Sequence, residues 1–333
     1  MKNIGIAAGV MISVGCAQAD AVVSSVFLGD PLPTPSCHAS TITETSGGMV
    51  AAWFGGTHEQ HPDVGIWLAR QESGKWLPAR EVANGVQPDG TRHPCWNPVL
   101  YTAKDGTLVL FYKVGADCTW WWGERMVSRD GGKTWSVPVK LPNGMIGPIK
   151  NKPLALPDGR VLCGASTEFG PWLVHVETTD DAGAVWSRTG NLHGRHINAI
   201  QPSFLTHPDN VLQMVGRTKE KRVFSIFSSD GGATWGEMTL LEVPNPCSGT
   251  DAVTLKDGRH LLVCNPVEKG RSPLSVMLSG DGVKWREALV LEDEPGKEFS
   301  YPAVIQAADG KVHVTYTWKR KNVRHVVIDT TKL

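Results

Sequence analysis

One short phrase returns along this chain about every fifty residues. It reads Ser128-Arg-Asp130-Gly-Gly132-Lys-Thr134-Trp135, then Thr179-Asp-Asp181-Ala-Gly183-Ala-Val-Trp186, then Ser228-Ser-Asp230-Gly-Gly232-Ala-Thr234-Trp235. A shortened copy follows at Ser279-Gly-Asp281-Gly-Val-Lys-Trp285, and a worn one precedes them at Arg70-Gln-Glu-Ser73-Gly74-Lys-Trp76. The closing tryptophans are 59, 51, 49 and 50 residues apart. A fixed period of this length with strand-like content marks one supersecondary unit repeated, as in the blades of a propeller. The aspartate can accept bonds from backbone N–H groups just ahead of it, and glycine allows the turn its positive φ. The tryptophan can anchor the hairpin between neighbouring sheets.

A second, interleaved periodicity counts the blades. Gly47-Gly48, Asp105-Gly106, Asp158-Gly159, Asp209-Asn210, Asp257-Gly258 and Asp309-Gly310 each precede an apolar alternating run, such as Thr107-Leu-Val-Leu-Phe-Tyr112 or Lys311-Val-His-Val-Thr-Tyr316. Alternation of β-branched and aromatic residues is the half-buried strand pattern. Six such hairpins predict an all-β, six-bladed β-propeller with four-stranded antiparallel blades. The segment Val22 to Leu28 lies too early for the first blade's hairpin. It is expected to pair with the last blade around Val323–Asp329, closing the ring and removing an exposed edge.

With 333 residues, 41% apolar, and 13 tryptophans, the chain has ample material for one domain over residues 20–333. A net charge of zero gives no electrostatic footprint for nucleic acid. Past the N-terminus no run is long and apolar enough to span a bilayer. Residues 1–19 read as a signal peptide: Lys2, an apolar stretch from Ile4 to Val14, then Ala17-Gln-Ala19 before the mature start at Asp20. Export implies a periplasmic or secreted protein. Cys16 after Gly15 hints at a lipoprotein signal, but Ser13 is not the aliphatic residue such signals carry. The later cysteines show no zinc-ligand spacing, so no metal or cofactor is expected, and a monomer is expected.

Several loops are rich in polar and aromatic residues where a plain turn would do. They hold His38; His58, Glu59 and Asp63; Trp96 and Asn97; Trp120-Trp-Trp122; Lys150, Asn151 and Lys152; and Glu298 with Tyr301. Loops at one end of a propeller channel are where binding residues gather.

The repeated phrase is the Asp box, and from Ser36 to His325 the chain resembles the sialidase superfamily. Arg217 and Arg271 each precede an Asp box, as two of the three substrate-carboxylate arginines of sialidases do. A guanidinium suits that role because its planar fork of donors matches a carboxylate. The resemblance further implies Asp63 as acid/base and Tyr301 as nucleophile, the known exception to paired carboxylates in glycosidases. His58, Glu59, Trp96, Asn97, Lys150, Asn151 and Lys152 join the substrate-binding candidates.

Two departures stand beside these matches. The family's first arginine falls where this chain has Ser36-Cys-His38-Ala-Ser40, and the glutamate that activates the tyrosine falls at Ile200-Gln201-Pro202. Glutamine cannot take a proton, so Glu298, Glu59 or Glu168 would have to substitute. The expected activity is release of a terminal acidic sugar, the partner being a carbohydrate that bears a carboxylate. Two alternatives stay open: a uronate-polysaccharide lyase or glycosidase using His38 and Tyr301, and a non-catalytic glycan-binding propeller.

Overall fold

The computed structural model describes residues 20–181 and 183–333. The expected signal peptide, with Cys16, lies outside the described residues. Six antiparallel sheets follow one another in chain order. Their first strands are Ser36–Thr45, Cys95–Thr102, Leu154–Ala155, Ala199–Thr206, Asp251–Thr254 and Phe299–Gln306. The first strands of blades four, five, six, one and two pack against one another in that order around the axis. Blade one carries a fifth strand, because Lys75–Trp76 and Arg80–Ala83 both pair with Gly65–Glu72. The other five sheets have four strands. The only helical elements among the described residues are two short 3₁₀ turns, Pro208–Asn210 and Thr330–Lys332.

The ring closes as the sequence predicts. Val22–Phe27 pairs antiparallel with Asn322–Ile328, running from Val22 opposite Ile328 to Phe27 opposite Arg324. One N-terminal strand therefore completes the last blade as its outer strand, tying the two ends of the chain together.

The repeated phrase builds the same device in successive blades. Ser128 Oγ accepts from Gly132 N at 2.8 Å and donates to Asp130 Oδ1 at 2.8 Å, while Asp130 accepts from Thr134 N at 2.8 Å. Ser228, Asp230, Gly232 and Thr234 repeat the three distances. Gly232 has φ +86°, and a Cβ there would meet Leu162 at 2.8 Å, so both backbone and space require glycine. The closing tryptophans 76, 135, 186, 235 and 285 each pack against a different apolar cluster. The third copy departs from the alignment. There Asp180, not Asp181, accepts from the N–H four residues ahead, Ala184 N at 2.6 Å. Asp181 reaches instead to Tyr101 Oη at 2.5 Å and Lys104 N at 2.8 Å in the preceding blade.

At the other end of the blades the ladders break. Four first strands carry a bulge, between His38 and Thr41, Trp96 and Val99, Ile200 and Ser203, and Ser300 and Ala303. In each, one residue takes a left-handed conformation: Ala39 (φ 55°), Asn97 (35°), Gln201 (56°) and Tyr301 (51°). Non-glycine residues adopt this region rarely, and a bulge re-aims the side chain it carries. Proline follows in three of the four, at Pro98, Pro202 and Pro302, which fits its confinement to places where the ladder is interrupted. The register puts the Asp boxes at the opposite ends of the same blades. Ser128 pairs with Leu108, whereas Cys95 pairs with Val114.

Candidate functional site

The bulges of blades four and six deliver their side chains to one place, beside His38 from the bulge of blade one. Tyr301 lies against His38 with ring centroids 4.1 Å apart. Its ring also packs on Gly249, where a Cβ would come within 3.1–3.3 Å of three ring atoms. Arg217 Nη1 donates to the Tyr301 hydroxyl at 2.7 Å and to Gln201 Oε1 at 3.3 Å. The Arg217, Arg271 and Lys150 cationic centres each sit 5.7 Å from the centre of the Tyr301 ring. Tyr301, His38, Gln201, Arg217 and Arg271, spread over 264 positions of sequence, thus form one cluster.

Charge in this cluster is organised around Glu298. Its Oε1 accepts from Arg271 Nη1 at 2.6 Å, Arg320 Nε at 2.7 Å and Ser300 Oγ at 2.8 Å. Burial alone would raise the Glu298 pKa, but the two guanidiniums and these bonds hold it below the usual value. Arg320 Nη1 also donates to Glu59 at 2.6 Å, tying the loop of blade one to blade six. Arg217 makes no ion pair among the described residues, and its guanidinium stacks over Trp172 at 5.5 Å. His38 is buried and donates to or accepts from Thr317 Oγ1 through Nδ1 at 2.9 Å. Burial first, then the charges of Arg320, Arg271, Lys150 and Arg217, push its pKa well below 6.5, so its imidazole is neutral.

The floor is built by lysine. Lys150 is 3% exposed, and its ammonium donates to Asn151 Oδ1 (2.8 Å), Thr250 O (2.9 Å) and Pro302 O, joining blade three to blades five and six. Burial lowers its pKa to about 7. Asn151 donates to Gln201 O at 2.9 Å. Lys152 is committed to Asp251 at 3.1 Å and to Ala252 O at 2.8 Å. These three residues hold blades together across the axis.

The remaining candidates make no hydrogen bond to the cluster among the described residues. Asp63 accepts from Thr57 N (2.9 Å) and Thr57 Oγ1 (2.6 Å) within its own loop, and its Oδ1 lies 2.8 Å from His61 Nδ1, which accepts from Asp63 N. Slight burial pushes its pKa up, but the Thr57 and His61 bonds outweigh that and lower it, so it is ionised at neutral pH. His58 is exposed and bonds only to Glu59 O at 2.8 Å. Trp96 is buried, its indole N–H on Gly115 O at 2.9 Å, and packs against Trp121. Asn97 occupies the blade-two bulge, its carbonyl 3.5 Å from buried Lys113. Glu168 lies at the blade-three rim. Burial raises its pKa despite the nearby charge of Arg217.

The sequence reading missed Arg320 and Thr317. Arg320 stands in a run of cations, Lys319-Arg-Lys321, at a hairpin turn, where charge is ordinary; only its position one blade from His38 marks it. Among the described residues no group of three or more His, Cys, Asp or Glu side chains could hold a metal ion, and all six cysteines are free thiols. Cys247 lies at the cluster, its sulfur 3.6 Å from Arg217 Nη2.

Comparison with known proteins agrees with this architecture. The family described as BNR repeat-like domain matches residues 47–314. The chain belongs to that family. Its fold is that of the sialidase superfamily propellers. A protein of unknown function from Dyadobacter fermentans superposes with a TM-score of 0.76 at 18% identity, over 92% of this chain and 98% of the other. The NanB sialidase of Streptococcus pneumoniae gives 0.73 at 12% identity, over 90% of this chain and 69% of the other. The intramolecular trans-sialidase from Ruminococcus gnavus gives 0.71 at 13%, over 96% and 99%. No curated protein matches the sequence significantly.

Proposed function

We propose that this BNR-repeat protein is an exported glycosidase that releases a terminal acidic sugar from a glycoconjugate. The observation that carries the reading is the Arg217–Tyr301 contact, inside a pocket where Arg271 and Lys150 also face the phenol ring. A guanidinium that donates to the tyrosine oxygen can stabilise the phenolate form that attacks an anomeric carbon once the phenol proton has left. Because Glu298 and Glu59 together pair with Arg271 and Arg320, Arg217 is the guanidinium with capacity for a substrate carboxylate.

A proton donor must hold its proton near neutral pH. Burial shifts Glu168 towards that state where it stands. Asp63, slightly buried but bonded to Thr57, is shifted away from it. No carboxylate bonds the Tyr301 hydroxyl among the described residues, so Gln201 leaves the tyrosine without the proton acceptor a sialidase uses. That observation favours one second reading, in which neutral His38, its ring tilted against Tyr301, serves as the base acting on a uronate-containing glycan.

The test is a fluorinated acidic sugar incubated with the mature protein. The first reading expects a covalent adduct on Tyr301, absent in Tyr301→Phe, and a saturated sugar product. Turnover with no adduct and an unsaturated product would overturn it in favour of the second. Absence of turnover on sialyl and uronate glycans alike, with binding retained, would leave a lectin.

A further inference from the structure

The hydroxyl of Thr317 decides which nitrogen of His38 carries the proton. Thr317 stands in the second strand of blade six, opposite Ser300, and is wholly buried. The bulge of blade one takes Ala39 off its ladder, and the freed N–H donates to Thr317 Oγ1 at 3.2 Å. His38 Nδ1 lies 2.9 Å from the same oxygen. A hydroxyl has two lone pairs and one proton to give. Were Nδ1 protonated, the oxygen would accept twice, and its own proton would have no acceptor among the described residues. That would strand a buried donor. With Thr317 donating to Nδ1, all three groups are satisfied. Burial and the neighbouring cations keep the imidazole neutral, so its one proton sits on Nε2.

The ring is held on two sides. It tilts against Tyr301 with centroids 4.1 Å apart and stands edge to face with Phe54 at 5.6 Å. Nε2 itself makes no hydrogen bond among the described residues. The charges that act on this ring are those of Arg320, Arg271, Lys150 and Arg217. Glu298 and Glu59 pair with Arg271 and Arg320. A spare N–H among cations matches an anionic acceptor. Being neutral, it adds a donor without adding to the repulsion between like charges.

We infer that Thr317 holds His38 as the Nε2–H tautomer, and that this N–H donates to the carboxylate of the acidic sugar gripped by Arg217. The inference rests on the acidic-sugar reading above. It makes His38 a binding residue and Thr317 a positioning residue that acts through it. It also sets the two readings apart, because an imidazole in this tautomer has no lone pair at Nε2 with which to take a proton from a uronate.

Nitrogen-15 NMR of the histidine rings in the mature protein tests it, with His38 assigned by the signal lost in His38→Gln. In the free wild type, Nδ1 should show the shift of a bare ring nitrogen and Nε2 that of a protonated one. N-acetylneuraminic or glucuronic acid should move the Nε2–H signal. Thr317→Val should lose the fixed tautomer and bind the acid about tenfold more weakly. Thr317→Ser, which keeps the hydroxyl and drops the methyl, should restore both, as a role in packing alone would not. An Nδ1–H tautomer in the wild type overturns the inference and leaves the proposed function standing. So does acid binding, followed by calorimetry, that leaves the Nε2–H signal unmoved. A Thr317→Val protein that keeps both tautomer and affinity overturns the role of Thr317. No binding of either acid overturns the proposed function, and with it the carboxylate assigned to His38, while the tautomer is still read from the free protein.

Discussion

The two ends of each blade follow different rules. At the Asp-box end, Ser128 and Ser228 make the same bonds to the same partners with the same lengths, a hundred residues apart. At the opposite end no two blades offer the same chemistry. One bulge presents Ala39 beside His38, another Asn97, another Gln201, another Tyr301. The backbone device is shared, and the side chain is not. Repetition therefore builds a ring that needs no individual residue to be unusual, and this leaves the mouth free to diverge. The strain of four left-handed residues, roughly 1–3 kcal/mol each, is gathered at the end where the side chains differ.

The largest effect that can break this division comes from the strand that serves both ends. Removing residues 20–28 unpairs the five-residue-pair ladder to Asn322–Ile328. At a net ~1 kcal/mol per bond, stability should fall by on the order of 5 kcal/mol, read as a lower midpoint in urea. A truncated protein that melts like the mature form would show that the ring does not depend on this closure.

Next in size, Arg217→Ala should leave the ring folded and empty the mouth. Loss of a buried partner for a substrate carboxylate costs about 2–5 kcal/mol, which is roughly 30- to 5,000-fold in kcat/KM on an acidic substrate. Lys at this position should restore only part, lacking the fork. Normal kcat/KM in both variants would remove Arg217 from the site. The counterpart at the other end is Ser128→Ala, which leaves buried Gly132 N without an acceptor. About 1–2 kcal/mol of stability should go and kcat/KM should not move. A loss of activity as large as that of Arg217→Ala would erase the distinction between the ends.

The sequence exposed the two ends unequally, for a physical reason. A hairpin whose bonds are local, such as Asp130 to Thr134, must be spelled out within eight residues, so blade count, ring closure and fold class could all be read. The slip at Asp181 shows the limit of that reading: adjacent aspartates compete, and only three dimensions show that the second reaches back to Tyr101. The mouth depends on contacts as far as 84 and 279 residues apart, Arg217 with Tyr301 and His38 with Thr317. Arg217, Arg271 and Tyr301 could be picked out because the family resemblance marked them. Arg320 could not, because nothing local distinguishes a turn cation that ends up beside Glu298. The bulges did leave a trace that went unread: a proline directly after the left-handed residue in Asn97-Pro98, Gln201-Pro202 and Tyr301-Pro302.

The finest separation of the ends is by pH, where they should respond in opposite directions. Away from the mouth, His325 stacks on His313, accepts from the Trp76 indole, and is lowered by burial and by His313 to about 3. His260, against His207, is lowered by burial and by that neighbour to about 4. Both stay neutral in the fold, while the unfolded chain titrates near 6.5. As pH falls from about 6.5 towards 4, the unfolded state binds protons the folded state refuses, so stability is full above that range and declines through it. At the mouth the sign reverses. In the proposed mechanism Glu168 donates a proton, so kcat should decline as pH rises through its elevated pKa. Calorimetric Tm should therefore rise with pH in the acidic range, whereas kcat should fall with pH along its alkaline limb. His325→Gln should flatten the first curve by about one proton, and Glu168→Gln should remove the alkaline limb of the second. A Tm that falls as pH rises from 4 to 6.5, or an alkaline limb that survives Glu168→Gln, would show that the two ends do not divide the work in this way.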